Sequence, residues 1–400
     1  MLNLKVPMSG ERWRETRELA IERFRQNRRF LFSAYPDADA LGTMLALGLY
    51  LRLLGKEATL FFPSSLKANL QFMKDIIQDN NIAVVADEAG LKSLQNEVDT
   101  VVFCDTAHAR LVPQLETFYD CFLNRGIPSI EIDHHFGTDS AAITETGVHL
   151  FRKANASTEI AAELLQELHH LFPDVPAPFE QRNIVISLLM GMLTDTFGGR
   201  AVPLREDYDH WSRIFEDSLK AETEADDDNG SKIGGKVLFR SSAEILAHLN
   251  RLNSEQERYV RELKQRIVRH RGVGELNLLD SSLAQISGRP LHSGHTEFFQ
   301  VWNAMANVVP KKGGKVGLFY FNGNNAEGHP CIFLKIRQAF DFNQFDLRKC
   351  EPILKSAFGE RYLGGGGHAG AVSFRVHPME ESRFRSKAAA IVGFLEKQCN

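Results

Sequence analysis

No run of apolar residues in this 400-residue chain approaches the ~20 needed for a helix to cross a bilayer, so no membrane span is expected. Cysteine is scarce: Cys104, Cys121, Cys331, Cys350 and Cys399 are odd in number and widely spaced, with no Cys-x-x-Cys pair. That spacing argues against a disulfide framework and against a thiolate zinc site. The opening Met-Leu-Asn-Leu-Lys-Val soon turns Arg- and Glu-rich, with no apolar signal core ahead of a small-residue cleavage site. A reducing cytoplasm is the expected setting. An excess of positive charge is also missing, since the net charge is −4, which argues against a protein that coats long duplex nucleic acid through many phosphate contacts. A short anionic ligand remains open. The arginines between Arg12 and Arg29 are interleaved with Glu11, Glu15, Glu18 and Glu22, and read as an exposed helix with paired charges.

What is present is globular composition, 43% apolar and 24% charged, in a chain long enough for two cores. The first half alternates short apolar runs with helical periodicity, the pattern of an α/β domain with a largely parallel sheet. Strands are predicted at Phe30–Ala34, Ala58–Phe62, Ala83–Ala86, Thr100–Cys104 and Ser129–Ile132. Helices are predicted at Glu11–Arg28, Ala40–Leu54, Ser157–Leu171 and Phe179–Leu193. The acidic, glycine-containing stretch Ala221–Lys236 has almost nothing to bury and reads as a mobile loop or linker. Ser241–Arg271 reads as one long connecting helix. Strands at Lys315–Asn322, Pro330–Gln338 and Ala371–Val376, a glycine-rich turn at Gly364–Gly367 and a helix over Glu380–Lys397 outline a second, smaller α/β domain. The division expected is a catalytic domain over 1–220, an acidic insertion and connecting helix over 221–272, and a substrate-binding domain over 273–400, with the active site in the cleft of a two-lobed molecule.

The chemistry is announced by where the aspartates fall. Three predicted strands run into acidic residues at their carboxyl ends: Asp37 and Asp39, then Asp105, then Asp133. Ligands of open α/β sheets bind at that edge, so residues up to ~100 positions apart can converge there. Asp195 ends an apolar helix. Carboxylates crowded together with no Lys or Arg beside them would repel, and a divalent cation removes the conflict. Oxygen and imidazole donors without sulfur suit Mn²⁺, Mg²⁺, Fe²⁺ or Zn²⁺, and two ions could clamp a phosphate. A lone Asp after a strand is commonly just a turn or helix cap. Asp133-His134-His135, placed directly after a buried strand, gains nothing from core packing.

Taken in order, Pro36-Asp37-Ala38-Asp39-Ala40-Leu41-Gly42, Asp105, Asp133-His134-His135, Ala156-Ser157-Thr158 and Thr194-Asp195-Thr196 resemble the DHH phosphoesterase family. Gly364-Gly365-Gly366-Gly367-His368 resembles the glycine-histidine motif of the DHH-associated C-terminal domain, with Arg337 where that family places a substrate-contacting arginine. The resemblance covers nearly the whole chain. It implies one metal, most simply Mn²⁺, on Asp37 and Asp105, and a second on Asp39, Asp105, His134 and Asp195. It gives catalytic roles to His135 and Asp133, and substrate-binding roles to Arg337, Gly364, Gly365, Gly366, Gly367 and His368. Mg²⁺ or another divalent ion is the alternative, and the family also allows a homodimer.

This chain departs from the family where Ser33 stands in place of a metal-binding histidine, so the first metal site is weakened or completed by another ligand, such as His108 or water. Other departures are Phe197-Gly198-Gly199-Arg200, Gln338 after Arg337, and Ala369-Gly370-Ala371 after His368. The function these residues imply is metal-dependent hydrolysis, of the kind done by nanoRNases and phosphoadenosine-phosphate phosphatases. The substrates implied are oligonucleotides of two to five units, linear or cyclic dinucleotides, or 3′-phosphoadenosine 5′-phosphate. The alternatives are a nucleotide-binding regulator whose metal site has decayed at Ser33, and an inorganic pyrophosphatase or polyphosphatase. A processive exonuclease on long strands is disfavoured by the near-neutral charge.

Overall fold

The computed structural model describes residues 4–399 apart from 36, 64–65, 67, 138–139, 200–201, 230–238, 253, 280–294, 326–328, 340 and 343. These residues form two compact units, Met1–Leu249 and Asn250–Asn400.

The first unit begins with α1 (Gly10–Gln26), β1 (Arg29–Ser33), α2 (Ala38–Leu53), β2 (Glu57–Phe61), α3 (Phe72–Asp79), β3 (Ala83–Val85) and α4 (Glu88–Ser93). It continues with β4 (Thr100–Cys104), α5 (Leu115–Cys121), β5 (Ser129–Asp133), β6 (Val148–Phe151), α6 (Ser157–Leu171), α7 (Arg182–Asp195), α8 (Arg205–Asn229) and α9 (Ser242–Leu249). Six strands make one sheet in the order β3-β2-β1-β4-β5-β6, parallel throughout. Strands β4 and β5 are buried along their whole length. This is why Thr-Val-Val-Phe-Cys reads as a continuous apolar run and not as an alternation. Side chains still alternate between faces: Phe30 and Phe32 join the core under α1, α2, α6 and α7, while Leu31 faces the other way with Phe103 and Phe118.

Helices α2 and α7 are buried on nearly every side, which fits their lack of a polar face. They pack closely because Gly42 and Gly191 leave room. A Cβ at Gly42 would strike the Ser187 carbonyl, and one at Gly191 would lie 2.5 Å from Thr158 Cγ2. Strand order reverses between β1 and β4, each of which is followed by a loop at the same edge, and a ligand crevice opens at such a switch point.

The second unit holds α10 (Ser254–Gln265), β7 (Val268–Arg269), β8 (Gly272–Leu278), α11 (His295–Gly313), β9 (Gly314–Asn324) and β10 (Pro330–Gln338). It ends with α12 (Glu351–Phe358), β11 (Tyr362–His368), β12 (Ala371–Val376) and α13 (Glu381–Gln398). Its sheet runs β11-β12-β10-β9-β8-β7, with only the β8–β9 pair parallel. One apolar cluster lies under α12 and α13 and another under α10 and α11, so the sheet carries helices on both faces.

Three local expectations are corrected. Residues 221–229 extend α8 and are not a loop, because Ala and Glu are strong helix formers even with little to bury; 230–236 lie outside the described residues. The single helix expected over Ser241–Arg271 is two, α9 in one unit and α10 in the other, separated around Asn250, a residue that competes for the backbone, and followed by β7. The glycines Gly364–Gly367 lie within strand β11, and the turn falls at Ala369-Gly370. Pairing with β12 overrides glycine's preference for turns.

Candidate metal centre

Each acidic residue reaches the sheet edge by a different local route. Asp39 lies in the first turn of α2, is 1% exposed, and points at the start of α6. Its Oδ2 accepts the Ser157 N–H at 2.6 Å and its Oδ1 accepts the Thr158 N–H at 3.0 Å. A carboxylate on those unpaired amides is favoured by the helix dipole. Asp105 follows β4 with φ +46°, a left-handed conformation that costs a non-glycine residue about 1–3 kcal/mol. The Asp105 N–H donates to the Ile132 carbonyl at 2.8 Å, and Oδ1 accepts from the Ser157 hydroxyl at 2.8 Å. Asp195 closes α7 and is less buried than Asp39 or Asp105.

These three carboxylates surround one nitrogen. His134 Nε2 lies 3.2 Å from Asp195 Oδ2, 3.4 Å from Asp105 Oδ1 and 3.6 Å from Asp39 Oδ2. The other ring nitrogen, Nδ1, is 3.2 Å from the Ala154 carbonyl, which assigns it the proton and leaves Nε2 as the inward donor. Nε2 is buried and makes no hydrogen bond among the described residues. A bare imidazole lone pair facing three carboxylates is repulsive unless a cation lies among them. The strain shows in the protonation equilibria. Burial, then the charges of Asp105 and Asp195, push the Asp39 carboxyl well above the usual range. Burial disfavours the charged form of His134, but Asp105 and Asp195 outweigh it and raise its pKa well above the ordinary imidazole value. Two sets of donor atoms lie within 4.8 Å of one another, Asp39–His134–Asp195 and Asp105–His134–His135. A nitrogen and oxygen set with no sulfur fits a divalent cation of the Mn²⁺ or Mg²⁺ kind.

The second histidine of the triplet is held differently. His135 Nδ1 donates to Asp133 Oδ1 at 2.8 Å and lies 3.5 Å from Asp105 Oδ1. Desolvation opposes its charge, yet Asp133 raises its pKa to about 9. Asp133 itself, despite burial, is held well below the usual carboxylate range by His135 and by Lys5. The premise that no cation stands beside these carboxylates therefore fails: Lys5 Nζ is 2.5 Å from Asp133 Oδ2 and donates to the Thr106 carbonyl at 2.6 Å. No local pattern marks Lys5, which lies 128 residues away from its partner. Ser157 entered the sequence reading only through the Ala156-Ser157-Thr158 resemblance and as the start of a predicted helix.

Asp37 was expected to hold the first of two ions, with Asp105. Its side chain caps α2, accepting the Ala40 N–H at 3.0 Å, and it belongs to neither donor set. Ser33 is fully buried on β1, and its hydroxyl makes no hydrogen bond among the described residues. His108 accepts the Arg110 N–H through Nδ1 at 3.1 Å and is likewise outside both sets.

Residues 30–192 match the family profile described as the DHH family, N-terminal domain. Over this stretch the chain is similar to DHH-family domains. Members of that family are metal-dependent phosphoesterases, and the donor sets around His134 sit within the matched region except for Asp195, three residues beyond it. No curated protein matches the chain. Among solved structures, an exopolyphosphatase-related protein from Bacteroides fragilis superposes with a TM-score of 0.61 at 16% identity, over 96% of this chain and 98% of its own. A DHH domain assigned to a family of ribosomal proteins gives 0.50 at 14% identity over 97% and 93%. RecJ from Thermus thermophilus, solved with Mn²⁺, gives 0.48 at 15% identity, and the chain spans 55% of its length. At such identities the likeness is one of fold.

In the second unit, register places Arg337 beside Ala371 and Ala371 beside His368, one row across three strands. The His368 side chain lies outside what is described. Burial lowers the Arg337 pKa to about 10. Gly364 has φ +102° and open space where a Cβ would stand, and Gly365 is closed off by the Ser373 carbonyl. Gly366 and Gly367 continue the strand.

Proposed function

We propose that this protein is a metal-dependent phosphoesterase acting on short nucleotides: oligonucleotides of two to five units, linear or cyclic dinucleotides, or 3′-phosphoadenosine 5′-phosphate. The observation that carries the reading is His134 Nε2, buried and without a hydrogen bond, within 3.6 Å of carboxylate oxygens from Asp39, Asp105 and Asp195. Those four residues would hold the ion, which when bound supplies a Lewis acid and a nucleophile at neutral pH. Mn²⁺ is the ion we would supply first. His134 is common to both donor sets, and Asp105, whose Oδ1 lies 3.4 Å from His134 Nε2 and 3.5 Å from His135 Nδ1, would be the bridge if a second ion binds.

His135 serves the substrate and not the cation in this reading. With Nδ1 committed to Asp133, the ring presents Nε2 to a phosphoryl oxygen, and its positive charge stabilises the negative charge that builds in the transition state. Arg337 supplies two-point recognition of a phosphate, and the glycines of β11 let backbone come close to a nucleotide. Asn250–Asn400 is accordingly assigned as the substrate-binding domain of the DHH-associated type.

A second reading, hydrolysis of inorganic polyphosphate, is favoured by the exopolyphosphatase-related protein that superposes over nearly both full lengths. The test is hydrolysis of a 5′-labelled diribonucleotide, 3′-phosphoadenosine 5′-phosphate and polyphosphate in parallel, titrated with Mn²⁺, for the wild type and Asp105→Ala. We expect metal-dependent turnover of a nucleotide substrate, reduced at least ~10³-fold in Asp105→Ala. Turnover of polyphosphate alone would select the second reading. Tight nucleotide binding without turnover would leave a regulator whose metal site is impaired at Ser33.

A further inference from the structure

The Lys5 ammonium makes two hydrogen bonds and lies against an aromatic ring. One goes to Asp133 Oδ2, one to the Thr106 carbonyl, and the cation lies 4.8 Å from the centre of the Phe151 ring. The segment that delivers it is stitched down on both sides of the lysine. Leu4 bridges Ala141, the Lys5 N–H donates to the Ser140 carbonyl at 3.2 Å, and the Met8 N–H donates to the Phe151 carbonyl at 2.7 Å. Burying an amine to 6% exposure is unfavourable unless its partners are well placed. Here the partners are the last residue of β5 and the residue following Asp105.

We infer that Lys5 is a positioning residue of the metal centre, deciding which carboxylate His135 engages and leaving Asp105 to the cation. His135 Nδ1 has two acceptors within reach, Asp133 Oδ1 at 2.8 Å and Asp105 Oδ1 at 3.5 Å. With Oδ2 of Asp133 fixed by the ammonium, Oδ1 is turned to the imidazole. Without it, Asp133 is a buried anion with one oxygen unmatched beside a second anion, and the ring is free to turn to Asp105. The same ammonium pins the carbonyl next to the left-handed Asp105, so both strand ends are held by one group. Lys5 touches neither substrate nor ion in this account; it acts through Asp133 and His135. The inference rests on the metal-centre reading above.

The test compares the wild type with Lys5→Met and Lys5→Arg by two measurements that need no turnover. Nitrogen-15 NMR of the metal-free protein follows the His135 Nδ1–H resonance, and calorimetric titration with Mn²⁺ alone gives metal affinity. Loss of the Nδ1–H signal in Lys5→Met, with Mn²⁺ bound roughly 10–100-fold more weakly and both properties at least partly regained in Lys5→Arg, is the expected result. An unchanged resonance and affinity in Lys5→Met would overturn the inference, as would equal losses in Lys5→Met and Lys5→Arg, which would mark mere packing. If Lys5→Met fails to fold by circular dichroism, Lys5→Gln, which keeps a donor for the Thr106 carbonyl but no charge, takes its place with the same expectation. A wild type that binds Mn²⁺ and hydrolyses nothing would defeat the proposed function while leaving the Lys5 comparison decisive.

Discussion

Both oxygens of Asp39 are committed to backbone amides of α6, so the carboxylate cannot turn away from the charges around it. Burial and its neighbours Asp105 and Asp195 make its ionised form costly, and an added cation relieves that cost. Asp39→Asn removes the charge while keeping the shape. Its NH₂ then opposes one of the two α6 amides that the carboxylate accepts from, so the metal-free variant is expected to fold but to be about 1–3 kcal/mol less stable than the wild type. Mn²⁺ at one hundred times its dissociation constant should stabilise the wild type by about 2.7 kcal/mol and the variant hardly at all. Urea unfolding with and without Mn²⁺ measures both; equal stabilisation of the two proteins would rule Asp39 out as a ligand.

Among the secondary elements, the contact between α2 and α7 decides how near Asp39 and Asp195 can come. Gly191 lies where a Cβ would press on Asp39 Oδ1 and Thr158. Judged by helix propensity, Gly191→Ala should stabilise α7 by ~1 kcal/mol. We expect the opposite, a loss of roughly 1–3 kcal/mol from overpacking, together with weaker Mn²⁺ binding. Thermal unfolding and metal titration of the same preparation check this. A stabilised variant with wild-type metal affinity would show that the helices have slack. Asp37 caps the same helix α2 through the Ala40 N–H.

Across the whole molecule, the two units divide the proposed labour, with acid and imidazole donors in Met1–Leu249 and the Arg337 row in Asn250–Asn400. If the second unit binds the phosphate and does not take part in the chemical step, Arg337→Ala should raise KM for a dinucleotide roughly 10–100-fold and leave kcat within a few-fold. Steady-state kinetics decide it, and a fall in kcat at unchanged KM would move Arg337 into the reacting site. At this scale the sequence was informative: the parallel strands β1, β4 and β5 and the helices α2 and α6 were legible within a few residues, because buried parallel strands are continuous apolar runs and the helices carry apolar periodicity. The short strand β6 and the helices α3 to α5 were not. Val148–Phe151 is four residues long, and six to eight residues are too few for a helical period to stand out.

By itself the sequence determined the α/β character of the first unit, the carboxyl-edge placement of Asp39, Asp105 and Asp133, and the chemical kind of the cluster, since each follows from patterns within a dozen residues. Only the tertiary structure decided that His134 Nε2 faces three carboxylates at once, that Asp37 is turned to cap a helix, and that Lys5 reaches Asp133 across 128 positions. The physical reason is one of range. Periodicity and capping are set by neighbours along the chain, whereas the partner of a buried charge is chosen by whichever segment the folded sheet brings against it, and the ammonium of Lys5 leaves no local mark of where it will be buried.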